Sequence, residues 1–148
     1  MQPLYFPSYT FRLKNRQNKP FIFDQIRKKF VVLTPEEWVR QHVVNYLLLD
    51  KKYPLSYVNV EKQILLNGLK KRYDILVFNA DGSIHLLVEC KAPQVAITQK
   101  SFDQIASYNF NLDATYLMVT NGLQHYYCQI LKNEEKYEFL KEIPEFSR

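Results

Sequence analysis

Apolar and polar residues alternate along this chain with two different periods, and these periods predict helices in some stretches and strands in others. The stretch LTPEEWVRQHVVNYLLLDKKYP has apolar residues at three- and four-residue intervals, which is typical of a helix with one buried face. Its Thr34 precedes Pro35 and two glutamates, a common helix start. Residues 98–109 have the same spacing and again begin with a threonine. The pattern therefore predicts two helices.

Shorter β-rich runs predict the strands of a sheet. Residues 56–66 read as one strand, and residues 72–93, RYDILVFNADGSIHLLVECKAP, read as two apolar runs joined by a tight turn. The continuous apolar run at 114–122 is typical of a buried central strand. HYYCQIL and KYEFL predict an edge hairpin, and residues 9–24 predict two extended segments around a polar turn.

The order of these elements is an N-terminal β hairpin followed by α, β, β, β, α, β and further strands. It predicts an α/β fold in which one mixed central sheet is flanked by helices. We expect a single domain over residues 1–148, with a hairpin extension at 1–30, a core at 31–125, and a C-terminal β hairpin and tail at 126–148.

Charge narrows the choice of partner. The net charge of +5 suits a polyanionic partner. Basic residues form two clusters: one lies among phenylalanines near the N-terminus, and the other lies directly before Asp74. A solvated basic face explains the same charges, so both interpretations stay open. The DNA-binding candidates are Arg12, Lys14, Arg16, Lys70, Lys71 and Arg72.

Other features of the sequence favour a cytoplasmic protein without a membrane partner. No apolar run approaches the roughly 18 residues that span a bilayer, and the first residues lack the apolar region of a signal peptide. Cys90 and Cys128 do not have the spacing of a disulfide scaffold or a zinc site. No Gly-rich loop followed by Lys and Ser or Thr occurs in this sequence, so we do not expect ATP-driven translocation from it.

The Asp81-Gly82 pair between two apolar runs predicts a two-residue hairpin turn of type I′, which requires positive φ at both central positions. Ala80 would then face Ser83 across the turn. This choice fixes the register of the whole hairpin, and a slip of one residue would turn every side chain of one strand to the opposite face.

In that register, two acidic residues meet across the hairpin. Asp74 falls opposite Glu89, and Lys91 points to the same side as Glu89. Two facing carboxylates repel each other, so a cation is expected between them: the lysine itself or a hard divalent metal ion. A half-buried triad of charged side chains without further function is the simpler structural alternative.

These residues resemble the PD-(D/E)XK nuclease superfamily, with Tyr73 in place of the proline. The segments TPEEWVRQ, DILVF, VECKAP and QIASY more narrowly resemble the N-terminal nuclease domain of the type I restriction enzyme R subunit. The resemblance covers about residues 30–125 and implies a restriction-endonuclease-like αβββαβ core. It also implies that Asp74 and Glu89 ligate Mg²⁺, with Mn²⁺ able to substitute, and that Lys91 is the catalytic lysine.

The resemblance implies further site residues on the two helices. Glu36 or Glu37 would complete the metal site, and the sequence does not choose between them; either also suits the first turn of a helix as an acid facing the helix dipole. Gln104 and Tyr108 match the Gln-x-x-x-Tyr pattern of the second helix in related nucleases, and their spacing puts both on one helix face. A polar-aromatic surface pair is the alternative.

The sequence thus predicts a Mg²⁺-dependent DNA endonuclease domain similar to the restriction enzyme R subunit. Its expected partners are DNA and other restriction-modification subunits, and we also consider a homodimer, because many relatives dimerise to cut both strands. A catalytically silent nucleic-acid-binding or protein-docking module with the nuclease fold is one alternative. A nuclease for DNA repair or recombination is the other.

Overall fold

The computed structural model of the chain describes residues 1–66 and 68–147, without the side chains of Leu66 and Asn111. Its helices are α1 (Pro35–Asn45) and α2 (Gln99–Asn109). Its strands are β1 (Leu13–Arg16), β2 (Lys19–Asp24), β3 (Lys29–Val32), β4 (Val58–Leu66), β5 (Leu69–Phe78), β6 (Ile84–Cys90), β7 (Tyr116–Thr120), β8 (His125–Leu131) and β9 (Lys136–Leu140).

The larger sheet contains β4 to β9 in the order in which they follow along the chain. Antiparallel pairs join β4 to β5, β5 to β6, β7 to β8 and β8 to β9. The strands β6 and β7 run parallel, and the connection between them carries α2, as a parallel pair requires. The predicted mixed sheet with two helices is therefore confirmed.

The two helices cover opposite faces of this sheet. From α1, Val39 and Val43 are fully buried in a cluster with Val88 of β6, whereas Phe102 of α2 packs in a second cluster with Leu87. Neighbouring residues of one strand thus belong to different clusters. Burial on both faces explains the nearly continuous apolar runs that the sequence shows for these strands.

The first helix begins where the sequence predicts. The Thr34 side chain accepts a hydrogen bond from the Glu37 backbone N–H at 3.0 Å, and Pro35 occupies the first helical position. This cap satisfies one of the N–H groups that a helix leaves free at its start. It also fixes the first turn, which carries Glu36 and Glu37, against the large sheet.

The N-terminal segment forms a separate three-stranded sheet. The predicted hairpin is present as β1 and β2, and β3 adds a third strand that the sequence analysis missed. Asp24 at the end of β2 is fully buried, and it accepts hydrogen bonds from both the backbone and the side chain of Arg27. Arg27 also binds Glu37 at 3.0 Å, so this small sheet is tied to the start of α1.

The turn between β5 and β6 differs from the prediction. Ala80 does not face Ser83; instead the Asn79 N–H donates to the Ser83 carbonyl, and the Gly82 N–H donates to the Asn79 carbonyl. Only Gly82 of the loop has positive φ, at 87°. The loop therefore has three residues, as when a type I turn is followed by one left-handed glycine.

A β-bulge then restores the predicted register farther along the hairpin. Phe78 pairs with Ile84, but Val77 pairs with Leu86, so one residue of β6 is left without a partner. Beyond the bulge, Ile75 pairs with Val88, which is the register that the two-residue turn predicted. The prediction was wrong about the turn and right about the pairing on which the site depends.

The unpaired residue in this bulge is His85, which strict alternation along β6 would put on the same face as Glu89. The structure contradicts this placement. The His85 ring hydrogen-bonds the Tyr53 hydroxyl at 2.9 Å and packs edge-on against Tyr116. Because Tyr53 belongs to the cluster beneath α1, the bulge turns His85 toward that face.

Within residues 1–66 and 68–147, neither helix has the length and apolar character that crossing a bilayer requires.

Candidate active site

Two acidic side chains meet near the end of β6 that lies away from the turn, opposite the middle of β5. Ile75 pairs with Val88, so the next residues along the two strands are Asp74 and Glu89. Burial and, after it, the charge of the neighbouring Asp74 carboxylate raise the pKa of Glu89 to about 7, while Lys71 and Lys91 oppose the shift. This is the behaviour of a half-buried carboxyl group beside a like charge.

The oxygens of Asp74 are held from two directions. One accepts a hydrogen bond from the Cys90 backbone N–H at 2.7 Å, and the other accepts one from the Arg40 guanidinium at 2.9 Å. The first bond comes from the residue directly after Glu89. These contacts keep Asp74 at the junction between β6 and α1.

Arg40 is one of the site residues that the sequence analysis missed. It lies on α1, it is 6 % exposed, and its guanidinium contacts four carboxylates. Its partners are Glu37 at 2.6 Å, Glu61 at 2.8 Å, Asp74 at 2.9 Å and Glu36 at 3.0 Å. Burial lowers the pKa of Arg40, but Glu37 and Asp74 more than offset this effect and raise it. One signal was present in the sequence: Arg40 follows the two glutamates at three- and four-residue spacing.

The structure separates the two glutamates between which the sequence did not choose. Glu36 lies beside Asp74, and burial together with the Asp74 charge raises the pKa of Glu36. Glu37 is 6 % exposed and is surrounded by hydrogen-bond donors from Arg27, Arg40 and Gln41. Glu36 therefore faces the acidic pair, whereas Glu37 is part of a buried network.

Glu61 of β4 also reaches this site, although the sequence gave no sign of it. Its backbone has φ of 56°, and the pairing between β4 and β5 skips this residue while resuming on both sides of it. A glutamate in the left-handed region is uncommon and costs conformational energy. Its carboxylate binds Arg40 and lies 3.8 Å from the Arg72 Nε.

Two lysines flank Glu89 on the side of α2. Lys91 comes directly after the last residue of β6, and Lys71 comes from β5; both are half-buried. The charges of Glu89 and Lys91 both act on Lys71, which places the three groups together. The Lys71 ammonium lies 3.3 Å from the centre of the Tyr108 ring. Gln104, one turn earlier on α2, is exposed in a hollow with Lys100 and Ser107.

The other DNA-binding candidates lie on two surfaces. On the N-terminal sheet, the Arg12 guanidinium lies 4.4 Å from the centre of the Phe23 ring, and the Lys14 ammonium lies 4.0 Å from that of Phe30. Arg16 is exposed at the end of β1. Lys70 and Arg72 are exposed on β5, close to the acidic pair in sequence.

The chemistry of these side chains can be tested against a Mg²⁺ ion. In the part of the chain that the structure describes, no three His, Cys, Asp or Glu side chains are grouped so as to hold a metal ion by themselves. Mg²⁺ needs only one or two protein carboxylates and keeps several water ligands. Within the same residues Glu89 forms no salt bridge, so the pair Asp74 and Glu89 fits one such ion.

The fold and the site together define a mixed α/β protein with a cluster of carboxylates and lysines at the end of a buried hairpin. A comparison with family models identifies it further. The model of the type I restriction enzyme R protein N terminus matches residues 35–144, and the chain belongs to this family. Among curated proteins, no sequence matches the chain.

Proposed function

We propose that this chain is a Mg²⁺-dependent DNA endonuclease domain of the PD-(D/E)XK type with a restriction-endonuclease-like core. The observation that supports it most is the pairing of β5 with β6, which puts Asp74 beside Glu89 with Lys91 two residues farther along. The family supports a role in restriction, because its name refers to the R protein of type I restriction enzymes.

Asp74 and Glu89 would hold the ion, which when bound supplies a positive charge that stabilises the phosphate during hydrolysis. Lys91 would orient the attacking water and stabilise negative charge on the phosphate, since its ammonium stays close to Glu89. Arg40 holds Asp74 in place through the 2.9 Å bond. Glu36, next to Asp74, would accept a hydrogen bond from a water of the site.

The basic residues would bind the DNA backbone without reading its sequence. Lys70 and Arg72 lie on the strand that carries Asp74, whereas Arg12 and Lys14 extend the basic surface onto the N-terminal sheet. Other restriction-modification subunits are the expected protein partners, in keeping with the family. A homodimer would allow both strands to be cut.

One observation favours a second candidate, a catalytically silent DNA-binding module. The Arg40 guanidinium already contacts Asp74 together with Glu36 and two further carboxylates. A built-in cation of this kind neutralises acidic residues without a metal ion. The two candidates differ in one property, because only the nuclease needs a divalent ion at Asp74 and Glu89.

A plasmid-nicking assay with Mg²⁺ or Mn²⁺ tests the nuclease proposal, and the chain contains its own matched controls. Glu134 and Lys136 repeat the Glu-x-Lys spacing as an exposed ion pair at 3.3 Å, far from the site in sequence. We expect Glu89→Ala and Lys91→Ala to abolish nicking, and Glu134→Ala and Lys136→Ala to leave it unchanged. Circular dichroism checks that each variant is folded.

Mn²⁺ titration by calorimetry separates the two candidates. The nuclease proposal predicts one binding event that Glu89→Ala removes and Glu134→Ala retains. Wild-type protein that binds DNA but takes up no Mn²⁺ would establish the silent module instead.

A further inference from the structure

Lys71 was predicted only as one of several DNA-binding residues, but its surroundings differ from those of its neighbours on β5. Lys70 and Arg72 are exposed, whereas Lys71 is half-buried and turns toward α2. Its ammonium lies 3.3 Å from the centre of the Tyr108 ring and 5.0 Å from that of Tyr73. Contacts of this kind between a cation and aromatic rings are attractive and directional.

The two rings hold the lysine in one place. A free lysine side chain has four rotatable bonds and loses much conformational entropy when it binds a ligand. Tyr73 is fully buried in the core, so the ring beneath Lys71 is fixed, and Tyr108 extends from the rigid helix α2. Lys71 is therefore preorganised, which lowers the entropic cost of binding.

The charges around Lys71 indicate what it binds. Its neighbours are the carboxylate of Glu89 and the ammonium of Lys91. The neighbouring Asp74 is already paired with Arg40, so two ammonium groups face the one remaining carboxylate, and an anion with several oxygens relieves their repulsion. A phosphodiester of a DNA backbone has this chemistry.

The side chain beneath Lys71 has one further polar group. The Tyr73 hydroxyl is buried and has no hydrogen-bond partner within the described residues. An unpaired buried hydroxyl is uncommon in folded proteins and is usually satisfied by an ordered water or a ligand. The charge of Glu89 acts on this hydroxyl, which places it next to the proposed reaction centre.

We propose that Lys71 binds a backbone phosphate of the bound DNA strand and thereby positions that strand beside Glu89 and Lys91. This inference rests on the proposed nuclease function and adds a residue to it. Lys71 is then a positioning residue of the candidate site, and Tyr108 acts through it. Lys70, on the other side of the strand, contributes only to overall attraction.

Single-turnover cleavage of a short DNA duplex at saturating enzyme tests this role. We expect Lys71→Met to lower the rate constant by about 100-fold, because a small displacement of the reacting strand has an effect of this size. Lys141→Met is the control for loss of one charge, since Lys141 is exposed near the C-terminus, and it should cleave at the wild-type rate. Lys70→Met should mainly weaken binding. The slope of the logarithm of its binding constant against the logarithm of the salt concentration should fall by about one, the value for one lost phosphate contact.

Tyr108 provides the conservative variant. Tyr108→Phe keeps the ring beneath the ammonium and should cleave faster than Tyr108→Ala, which should lose most of the rate that Lys71→Met loses. Thermal unfolding of each variant checks that the fold is retained. Equal rates for Lys71→Met and Lys141→Met, or for Tyr108→Ala and wild type, would overturn the inference.

DNA binding without metal separates this inference from the nuclease proposal. If the wild-type protein cleaves no DNA, the proposed function fails, and fluorescence anisotropy in EDTA then decides the role of Lys71. Weaker binding by Lys71→Met and Tyr108→Ala, but not by Tyr108→Phe, would still establish the phosphate contact. Unchanged binding by Lys71→Met would overturn it.

Discussion

Arg40 shows at the scale of one residue how this site is held together. Its guanidinium joins carboxylates from α1, β4 and β5, and it is almost fully buried. Such a residue stabilises the fold mainly because its removal would leave several acidic groups without a counter-charge. Replacing both partners of a buried ion pair by apolar residues changes stability much less than removing only one partner, because the single removal leaves a buried charge unpaired.

We therefore expect Arg40→Ala to lower the free energy of unfolding by roughly 3–5 kcal/mol. Urea denaturation measures this change. Arg72→Ala is the matched control, because Arg72 is exposed and lies near the same Glu61, and it should change the free energy by less than about 1 kcal/mol. Equal effects of the two variants would contradict the central position of Arg40.

The two glutamates of the first turn of α1 should separate into different roles. Glu37→Gln removes charge from a buried network and should destabilise the fold by roughly 3 kcal/mol. Glu36→Gln changes a side chain that is 48 % exposed, so it should have little effect on stability but lower Mn²⁺ affinity about tenfold. Urea denaturation measures the stability of both variants, and calorimetry measures their Mn²⁺ affinity. If Glu37 rather than Glu36 served the metal, Glu37→Gln would lower the affinity and Glu36→Gln would lower the stability.

At the scale of one element, the hydrogen bond that caps α1 also positions a residue of the candidate site. The Thr34 cap holds the turn that carries Glu36. We expect Thr34→Ala to lower the free energy of unfolding by about 1 kcal/mol and to weaken Mn²⁺ binding, whereas Thr34→Ser keeps the hydroxyl and both properties.

Thr98 provides the comparison for this prediction. It caps α2 in the same manner, through a hydrogen bond from the Ser101 backbone. Thr98→Ala should therefore cost a similar amount of stability without weakening Mn²⁺ binding. If Thr98→Ala weakened the metal site as much as Thr34→Ala, the effect would reflect general loosening of the fold.

The β5–β6 hairpin shows how far the sequence determines an element. The alternation of apolar residues constrains which strand face is buried, and this global requirement sets the pairing of Ile75 with Val88. The turn sequence around Gly82 has several solutions of similar energy, so the type I′ turn was a wrong prediction. The bulge at His85 allows the three-residue turn to occur together with the pairing of Ile75 and Val88.

Arg40 and Glu61 could not be predicted for a different reason. On sequence alone, Arg40 reads as the exposed partner of Glu36 in a helical pair. Only the packing of α1 across β4 and β5 brings Glu61 and Asp74 to the same guanidinium. Contacts between elements distant in sequence are not encoded in local periodicity, whereas the helix starts at Thr34 and Thr98 are.

At the scale of the whole molecule, the histidines predict how stability depends on pH. Burial lowers the pKa of His42, His85 and His125 below the ordinary value. These groups stay neutral in the folded chain but bind protons in the unfolded chain below about pH 6.5. Their contribution is therefore complete above that pH and is lost as the pH falls toward the lowered folded values.

The raised pKa of Glu89 acts in the opposite direction over the same pH range, so the histidine contribution is measured by comparing two proteins. We expect the urea midpoint at pH 5.0, relative to that at pH 7.5, to be lower in the wild type than in a His42→Gln variant. At still lower pH, Asp24 adds to the loss. Burial alone would raise the pKa of Asp24, but the hydrogen bonds from Arg27 outweigh burial and lower it. An equal change of midpoint in the wild type and in the His42→Gln variant would show that His42 is not neutral and buried in solution.

The link from Arg27 to Glu37 matters for anyone who designs a minimal version of this protein. The family match begins at residue 35, so a shortened chain starting there would keep every proposed catalytic side chain. It would lose Arg27, however, and Glu37 would then rely on donors within its own helix. Trimming at the family boundary would thus weaken the scaffold by removing a residue that lies outside the matched region, and a useful truncation would have to begin before Asp24.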